Sequence, residues 1–157
     1  MPSSLSGGYF PLYPQHDSLP DPEIRTFITN FYKTSDNPTA DELWVSYFTK
    51  DAQILIGDNG AKGEKEIREA RALMWATMAE RKHVVTKVFP GRFSPADASD
   101  GESSDCECMM FGEVQYKTSD GSSLTTPWAA HAVLHKETDA GDKEEWKFAR
   151  YRVWLQK

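Results

Sequence analysis

The stretch "LTTPWAAHAVLHK", Leu124 to Lys136, predicts a β-strand with two unlike faces. Side chains alternate along a strand, so His131 and His135 share one face with a valine, while the face that runs from Trp128 to Leu134 is entirely apolar. Histidines in such a strand have two explanations. They lie at an edge in contact with water, or their face lines a partly polar pocket, and this stretch alone leaves both open.

Three further stretches read as strands. "HVVTKVF" begins at His83, "CECMMFGEVQYKT" at Cys106 and "EWKFARYRVWL" at Glu145. The sequence "SDG" at Ser119–Gly121 and "TDAGDKE" from Thr138 have the composition of hairpin turns. Together these segments predict a long antiparallel meander in the second half of the chain.

The first half predicts helices and one early strand. Asp21 followed by a proline is a typical helix start, and the apolar residues after it recur at helical spacing. A short helix follows near Thr39, a strand covers Ala52 to Ile56, and the longest predicted helix runs from Glu64 to Arg81. This order is typical of an α+β fold, in which a cone-shaped, curved antiparallel (mixed) sheet wraps the N-terminal helices and encloses one pocket.

Length and composition define the domains. At 157 residues the chain suits one domain, which we place at residues 21–157. Residues 1–20 are rich in proline, serine and glycine and form an extended N-terminal arm in this interpretation. The acidic segment from Gly91 to Ser104 is expected to be a mobile, dispensable loop.

Charge and motif content exclude several function classes. A net charge of −6 without a basic stripe argues against nucleic acid, and no apolar run reaches the roughly 20 residues of a membrane span. The start of the chain does not read as a signal peptide, and Cys106 and Cys108 are expected to be reduced thiols in a cytoplasmic protein. No phosphate loop, dinucleotide motif or metal-ligand spacing occurs, so we expect neither cofactor nor metal.

Several strings resemble the nuclear-transport-factor-2-like superfamily, in particular its SnoaL-like branch as found in fungi. They are "FYKTSD", "YFTKDAQILIG", "GEKEIREARALMWATMAERKH", "MFGEVQYKTSDG", "PWAAHA" and "WKFARYRVWL", which together span roughly residues 22 to 155. The chain is distantly similar to scytalone dehydratase and ketosteroid isomerase within that superfamily. The fold that this resemblance implies agrees with the one that the periodicity predicts.

The resemblance also implies site residues. His83 matches a catalytic histidine after the long helix of the dehydratase, and Tyr32 matches a catalytic tyrosine on its first helix. The dehydratase's second catalytic histidine falls at Gly112, and the position of its pocket serine falls at His131. The carboxylate base of the isomerase would fall near Ile56 and is missing. The resemblance therefore implies the pocket but neither of these two enzymes.

The resemblance implies which residues face the pocket, and alternation along each predicted strand extends these positions to give the expected site. His83, His131 and Tyr32 are the predicted catalytic residues, with the histidines exchanging protons and the phenol stabilising an enol or alkoxide. His135 is expected near the rim of the pocket or in solvent. The predicted substrate-binding residues are Tyr116, Tyr151, Trp44, Trp75, Met110 and Asp58.

The favoured function is a cofactor-independent isomerase, cyclase or dehydratase of secondary metabolism that moves protons on a polyketide- or terpenoid-derived molecule. Its predicted partner is a hydrophobic or aromatic small molecule, with no nucleic acid and no membrane. The alternative is a non-catalytic small-molecule-binding or protein-interaction module of the same fold. The register also puts Trp128, Phe148 and Trp154 on the outer sheet face, which predicts a homodimer through that face.

Overall fold

The computed structural model describes residues 8–16, 19, 21–91, 106–138 and 141–156. Most of the predicted loop from Gly91 to Ser104 lies outside these residues. The described part folds into three helices and six strands. They are α1 (Glu23–Ser35), α2 (Asp41–Val45), β1 (Phe48–Ile56), β2 (Asn59–Lys62), α3 (Gly63–Met74), β3 (Met78–Gly91), β4 (Cys106–Thr118), β5 (Ser123–Thr138) and β6 (Glu144–Leu155).

The strands form one mixed sheet in the order β2-β1-β6-β5-β4-β3. Strands β3 to β6 are the predicted antiparallel meander, and β1 joins it by pairing parallel to β6. The sheet does not close on itself, so β2 and β3 are its edges. The predicted α+β fold class is confirmed.

The core lies between α1 and one face of the sheet. Ile24, Ile28 and Phe31 follow one another at helical spacing on α1 and are almost fully buried. The Phe31 ring packs edge-on against Phe148 and Tyr151 of β6, with ring centroids 4.7 and 5.3 Å apart. We call the sheet face that packs against α1 the inner face and the opposite one the outer face.

One predicted boundary is wrong, and one strand was not predicted. The helix predicted from Glu64 to Arg81 ends at Met74, because residues from Met78 onward pair with β4 as the first part of β3. The "GDNG" segment turns the chain into β2, a short strand that the periodicity did not indicate. The helix ends early because pairing with β4 outweighs the local helical pattern.

The prediction for the faces of β5 is also wrong. Gly112 of β4 lies opposite Trp128, and Met110 lies opposite Ala130. Residues paired across an antiparallel ladder share a face, so Trp128 points inward with β4's buried residues and His131 points outward. The wholly apolar face of β5 is thus the buried one, and the histidines occupy the other.

A bulge in β6 explains a second error. Val133 pairs with Arg150 but Leu134 pairs with Phe148, which leaves one extra residue on β6. The bulge lets both Phe148 and Tyr151 reach the core, where the predicted alternation put Phe148 outside. Of the three aromatic residues expected on the outer face, only Trp154 lies there, with 42% of its surface exposed.

The described residues from Gly8 to Leu12 lie against the sheet edge. Leu12 donates its backbone N–H to Thr86 and accepts one from Val88, both at 3.0 Å. We call residues 8–16 the arm. The described helices include none that is long and apolar enough to cross a membrane.

Candidate active site

A cavity of about 150 Å³ lies between α1, α3 and the inner face of the sheet. Cavities of about this volume hold one six-membered ring, as an engineered cavity in another protein holds benzene. The wall is mostly apolar and aromatic, with five polar side chains among it: Ser35, Arg81, His83, Tyr116 and Tyr151. The lining residues are Phe31, Ser35, Trp44, Ile56, Met74, Met78, Arg81, His83, Val114, Tyr116, Trp128, Tyr151, Val153 and Leu155.

His83 lies on this wall and is hydrogen-bonded to Asp36, which lies behind it and is not a lining residue. The Nδ1 atom of His83 lies 2.7 Å from Oδ1 of Asp36, and the backbone N–H of His83 donates to Oδ2 at 2.7 Å. With Nδ1 as the donor, the ring's other nitrogen, Nε2, is the basic one. No described residue bonds to Nε2. A basic nitrogen on a cavity wall, oriented by a carboxylate, is the arrangement of a general base.

Two arginines hold the turn that carries Asp36. Arg71 is fully buried and donates to the carbonyl oxygens of Ser35, at 2.8 Å, and Asn37, at 2.5 Å. Arg81 donates to the same Ser35 carbonyl. The last carbonyls of a helix lack partners within it and favour positive charge, so both arginines stabilise the end of α1. This fixes Asp36, which is the first residue after the helix.

The surroundings set the charge states of the pair. Burial lowers the pKa of His83, the Asp36 hydrogen bond opposes this, and the result lies below the ordinary value of 6.5. Burial would raise the pKa of Asp36, but hydrogen bonds from His83 and Tyr9 and the nearby imidazole charge bring it below its ordinary value. Arg81 lies 3.4 Å from Asp36 in an ion pair. At neutral pH the pair is therefore a neutral imidazole beside a carboxylate.

Two tyrosines lie beside this pair. The hydroxyl groups of Tyr32 and Tyr151 are 2.8 Å apart, and the Tyr32 hydroxyl also contacts the Met110 sulfur at 3.8 Å. Burial raises the pKa of both phenols, so both are protonated at neutral pH. Tyr32 stacks on Trp128, and its ring lies 4.9 Å from that of His83. Tyr151 lines the cavity, whereas Tyr32 is not among the lining residues.

The structure brings most of the predicted site residues together. His83, Trp44, Tyr116 and Tyr151 line the cavity. Tyr32 and Met110 lie one layer deeper, where they contact each other. The other predicted site residues do not lie where they were expected.

Trp75 and Asp58 are not among the lining residues. The ring of Trp75 supports Arg81, whose guanidinium carbon lies 4.9 Å from the ring centre. Asp58 lies in a separate groove beside α3, together with Glu66 and Glu69. Neither residue is placed to touch a ligand in the cavity, so the predicted binding role of both lacks support from their position.

His131 does not reach the cavity. It lies on the outer face, where Nε2 is 2.6 Å from Oε2 of Glu107 on β4. The prediction that His131 shares one cavity with His83 is wrong, because β5 buries its apolar face. His135 lies on the same outer face, partly exposed. Among the described residues no group of three or more histidine, cysteine or acidic residues is arranged to hold a metal ion.

Three residues at the site were not predicted from the sequence: Asp36, Arg81 and Trp128. Asp36 follows Tyr32 by four residues, which places both on one side of a helix and its end, and this spacing could have revealed it. Arg81 was assigned to a helix and Trp128 to the outer face. The first error follows from the misplaced end of the helix and the second from the register of β5, since a shift of one residue exchanges the faces of a strand.

Comparisons with known proteins agree with this architecture. No family model matches the chain, and no curated protein matches it either. Solved structures do match. The ActVI-ORFA protein of Streptomyces coelicolor has a TM-score of 0.65 at 16% identity, covering 85% of this chain and 95% of that one.

Two further structures match similarly. The hexachlorocyclohexane dehydrochlorinase LinA-type3 of Novosphingobium barchaimii has a TM-score of 0.65 at 12% identity, covering 85% of this chain and 87% of that one. An NTF2-like protein of unknown function from Exiguobacterium has a TM-score of 0.54 at 14% identity, covering 83% and 98%. The chain therefore has the fold of the nuclear-transport-factor-2-like superfamily.

Proposed function

We propose that the protein is a cofactor-independent enzyme in which His83 moves a proton on a small, largely apolar substrate. The observation that carries the proposal is the His83–Asp36 hydrogen bond of 2.7 Å on the wall of a cavity. Asp36 fixes the tautomer and stabilises the imidazolium that forms when Nε2 takes a proton. The lowered pKa of His83 keeps that nitrogen free at neutral pH.

Tyr151 supplies the complementary acid in this proposal. Removing a proton next to a carbonyl builds negative charge on its oxygen, and a buried hydroxyl donor stabilises that charge. Tyr32, at 2.8 Å from Tyr151, holds the phenol in place. One base and one donor on the same cavity suffice for isomerisation, cyclisation or dehydration, which all begin with such a proton transfer.

The substrate class follows from the wall. A cavity of about 150 Å³ with aromatic sides favours a single ring or the end of a larger molecule. A polyketide- or terpenoid-derived ketone has this chemistry. The dehydrochlorinase of the same fold is named for a reaction that removes a proton from a six-membered ring, which supports proton transfer on such a ring here.

Proton exchange with solvent tests the proposal without knowledge of the true substrate. Acetophenone and cyclohexanone are incubated with the protein in D₂O, and loss of the proton signals beside the carbonyl is followed by NMR. We expect exchange above the buffer rate, and His83→Gln should reduce the protein-dependent rate by about 10²–10⁴-fold.

The matched control is His131→Gln, which removes an imidazole from the outer face. It should exchange the ketone protons at the wild-type rate. Wild-type protein that exchanges no faster than buffer, or a His83→Gln variant as fast as wild type, would leave a non-catalytic binding module as the better reading.

We further propose that the protein is a homodimer through the outer face and works in the cytoplasm. Phe89, Phe111 and Trp154 support the dimer, since each exposes at least 40% of its surface there. Cys106 and Cys108 support the location, since both are buried thiols that are not joined in a disulfide, and such thiols persist in a reducing compartment.

A further inference from the structure

The arm forms hydrogen bonds along the edge strand β3, next to His83. Gly8 accepts the backbone N–H of Val85 at 2.8 Å, and Leu12 bonds to the neighbouring residues of β3. A β-carbon on Gly8 would lie 3.1 Å from the carbonyl oxygen of His83. The arm backbone is thus packed directly against the strand segment that carries the proposed base.

Tyr9 connects the arm to the site. Its hydroxyl donates to Oδ2 of Asp36 at 2.7 Å. Two further contacts fix the residue: Thr29 of α1 donates to its carbonyl oxygen at 2.8 Å, and the ammonium of Lys82 lies 3.7 Å from its ring centre. Tyr9 is not among the residues that line the cavity.

The two oxygens of Asp36 have different partners. Oδ2 accepts from the Tyr9 hydroxyl and from the backbone N–H of His83, both at 2.7 Å. Oδ1 faces Nδ1 of His83 at 2.7 Å and Arg81 at 3.4 Å. Because Oδ2 is held by two donors, the carboxylate cannot rotate, and Oδ1 stays aimed at the imidazole.

We propose that Tyr9 is a positioning residue of the active site, through which the arm fixes the orientation and charge of Asp36 and thereby the basicity of His83. This inference rests on the proposed role of His83 as the base. It assigns the arm a part in catalysis although the arm does not touch the cavity.

The sign of the effect follows from the groups around the pair. Asp36 faces Tyr9 from the arm, and Arg81 and His83 from β3. His83 also faces the phenol of Tyr32 from α1. A hydroxyl donor to Oδ2 withdraws negative charge from the carboxylate. Without it, Asp36 stabilises the imidazolium more strongly, so the pKa of His83 rises.

Tyr9→Phe is the test, because it removes the hydroxyl and keeps the ring. The imidazole signals of the chain's four histidines are titrated by NMR in the ligand-free protein, and His83 is assigned by its loss in His83→Gln. We expect the pKa of His83 to rise in Tyr9→Phe. The acid limb of ketone proton exchange should shift to higher pH by the same amount.

Tyr13→Phe is the matched control. It removes another phenol hydroxyl from the arm and keeps the hydrogen bond from Tyr9 to Asp36, so it should leave the His83 titration unchanged. A second variant covers the case in which Tyr9→Phe does not fold. Replacing Tyr9 with 3,5-difluorotyrosine makes the hydroxyl a stronger donor, so the pKa of His83 should fall.

The titration separates this inference from the proposed function. It needs no substrate, so it decides the role of Tyr9 even if no ketone exchanges. An unchanged or lowered His83 pKa in Tyr9→Phe, or an unchanged one with the fluorinated residue, would overturn the role of Tyr9. If exchange then still depended on His83, the proposed function would stand without it.

Discussion

At the scale of single residues, the candidate site depends on Asp36. The carboxylate base that the resemblance to ketosteroid isomerase would place near Ile56 is missing from this chain. Asp36 lies one helical turn beyond Tyr32, and its carboxylate reaches His83 at 2.7 Å. Asp36 is therefore placed to orient an imidazole, and in the proposed function that imidazole is the base.

The lowered pKa of His83 makes stability depend on pH. The unfolded chain binds a proton to this residue near the ordinary value of 6.5, while the folded protein does so only at lower pH. The stabilising contribution is therefore complete above about pH 6.5 and is lost as the pH falls towards the folded value. We expect the free energy of unfolding in urea to fall between pH 7.5 and pH 5.5 by more in wild type than in His83→Gln. An equal fall in both proteins would contradict this.

At the scale of elements, most strands follow directly from alternation and turn residues. The predicted starts of β4, β5 and β6 lie within one residue of the observed ones, and the turn at Gly121 is confirmed. Boundaries failed where pairing between distant segments decides the structure. Residues after Met78 have a helical pattern, yet pairing with β4 stabilises them more than a longer helix would.

The faces of the strands were harder to predict than their existence. His83 and the inward residues of β4 were assigned to the correct face. The faces of β5 were instead assigned by matching His131 to the pocket serine of scytalone dehydratase. The apolar face from Trp128 to Leu134 indicated the inner face better, because burying apolar side chains stabilises the fold more than burying histidines does. The bulge that turns Phe148 inward has no such signal, since it depends on the pairing of β5 with β6.

Gly112 shows how an element constrains the site. A β-carbon there would lie 1.9 Å from the carbonyl oxygen of Val84, because β3 bulges between Val85 and Lys87 and its backbone comes close. By the resemblance, the second catalytic histidine of scytalone dehydratase falls at this position, where the close backbone leaves too little room for an imidazole. The active site therefore cannot use a histidine pair on β3 and β4.

We expect Gly112→Ala to destabilise the protein by about 1–3 kcal/mol in urea unfolding, because the two strands must move apart. Gly60→Ala is the matched control, since the nearest atoms to its added carbon are 3.7 Å away. It should change the free energy of unfolding by less than about 0.5 kcal/mol. Equal stability of the two variants would show that β3 adjusts at no cost.

At the scale of the whole molecule, the sheet has two faces with different tasks. The inner face holds the core and the cavity. On the outer face, Phe111, Ala129 and Trp154 are paired in one row across three strands, and Phe89 stacks on Phe111 with ring centres 6.3 Å apart. Such a continuous apolar row is unusual on a surface that only water covers. It replaces Trp128 and Phe148 as the reason to expect a dimer.

A charge in the middle of this row should prevent the dimer. Phe111→Asp would bury two carboxylates in a face-to-face interface, so we expect the variant to sediment as a monomer at micromolar concentration while wild type sediments as a dimer. Leu73→Asp is the control: Leu73 is 75% exposed on α3, which is not part of the outer face, and its variant should stay dimeric. A monomeric wild type, or a dimer that survives Phe111→Asp, would contradict the outer-face interface. Because His83 and Asp36 lie on the inner side of the sheet, ketone proton exchange by the monomeric variant should persist, which separates assembly from catalysis.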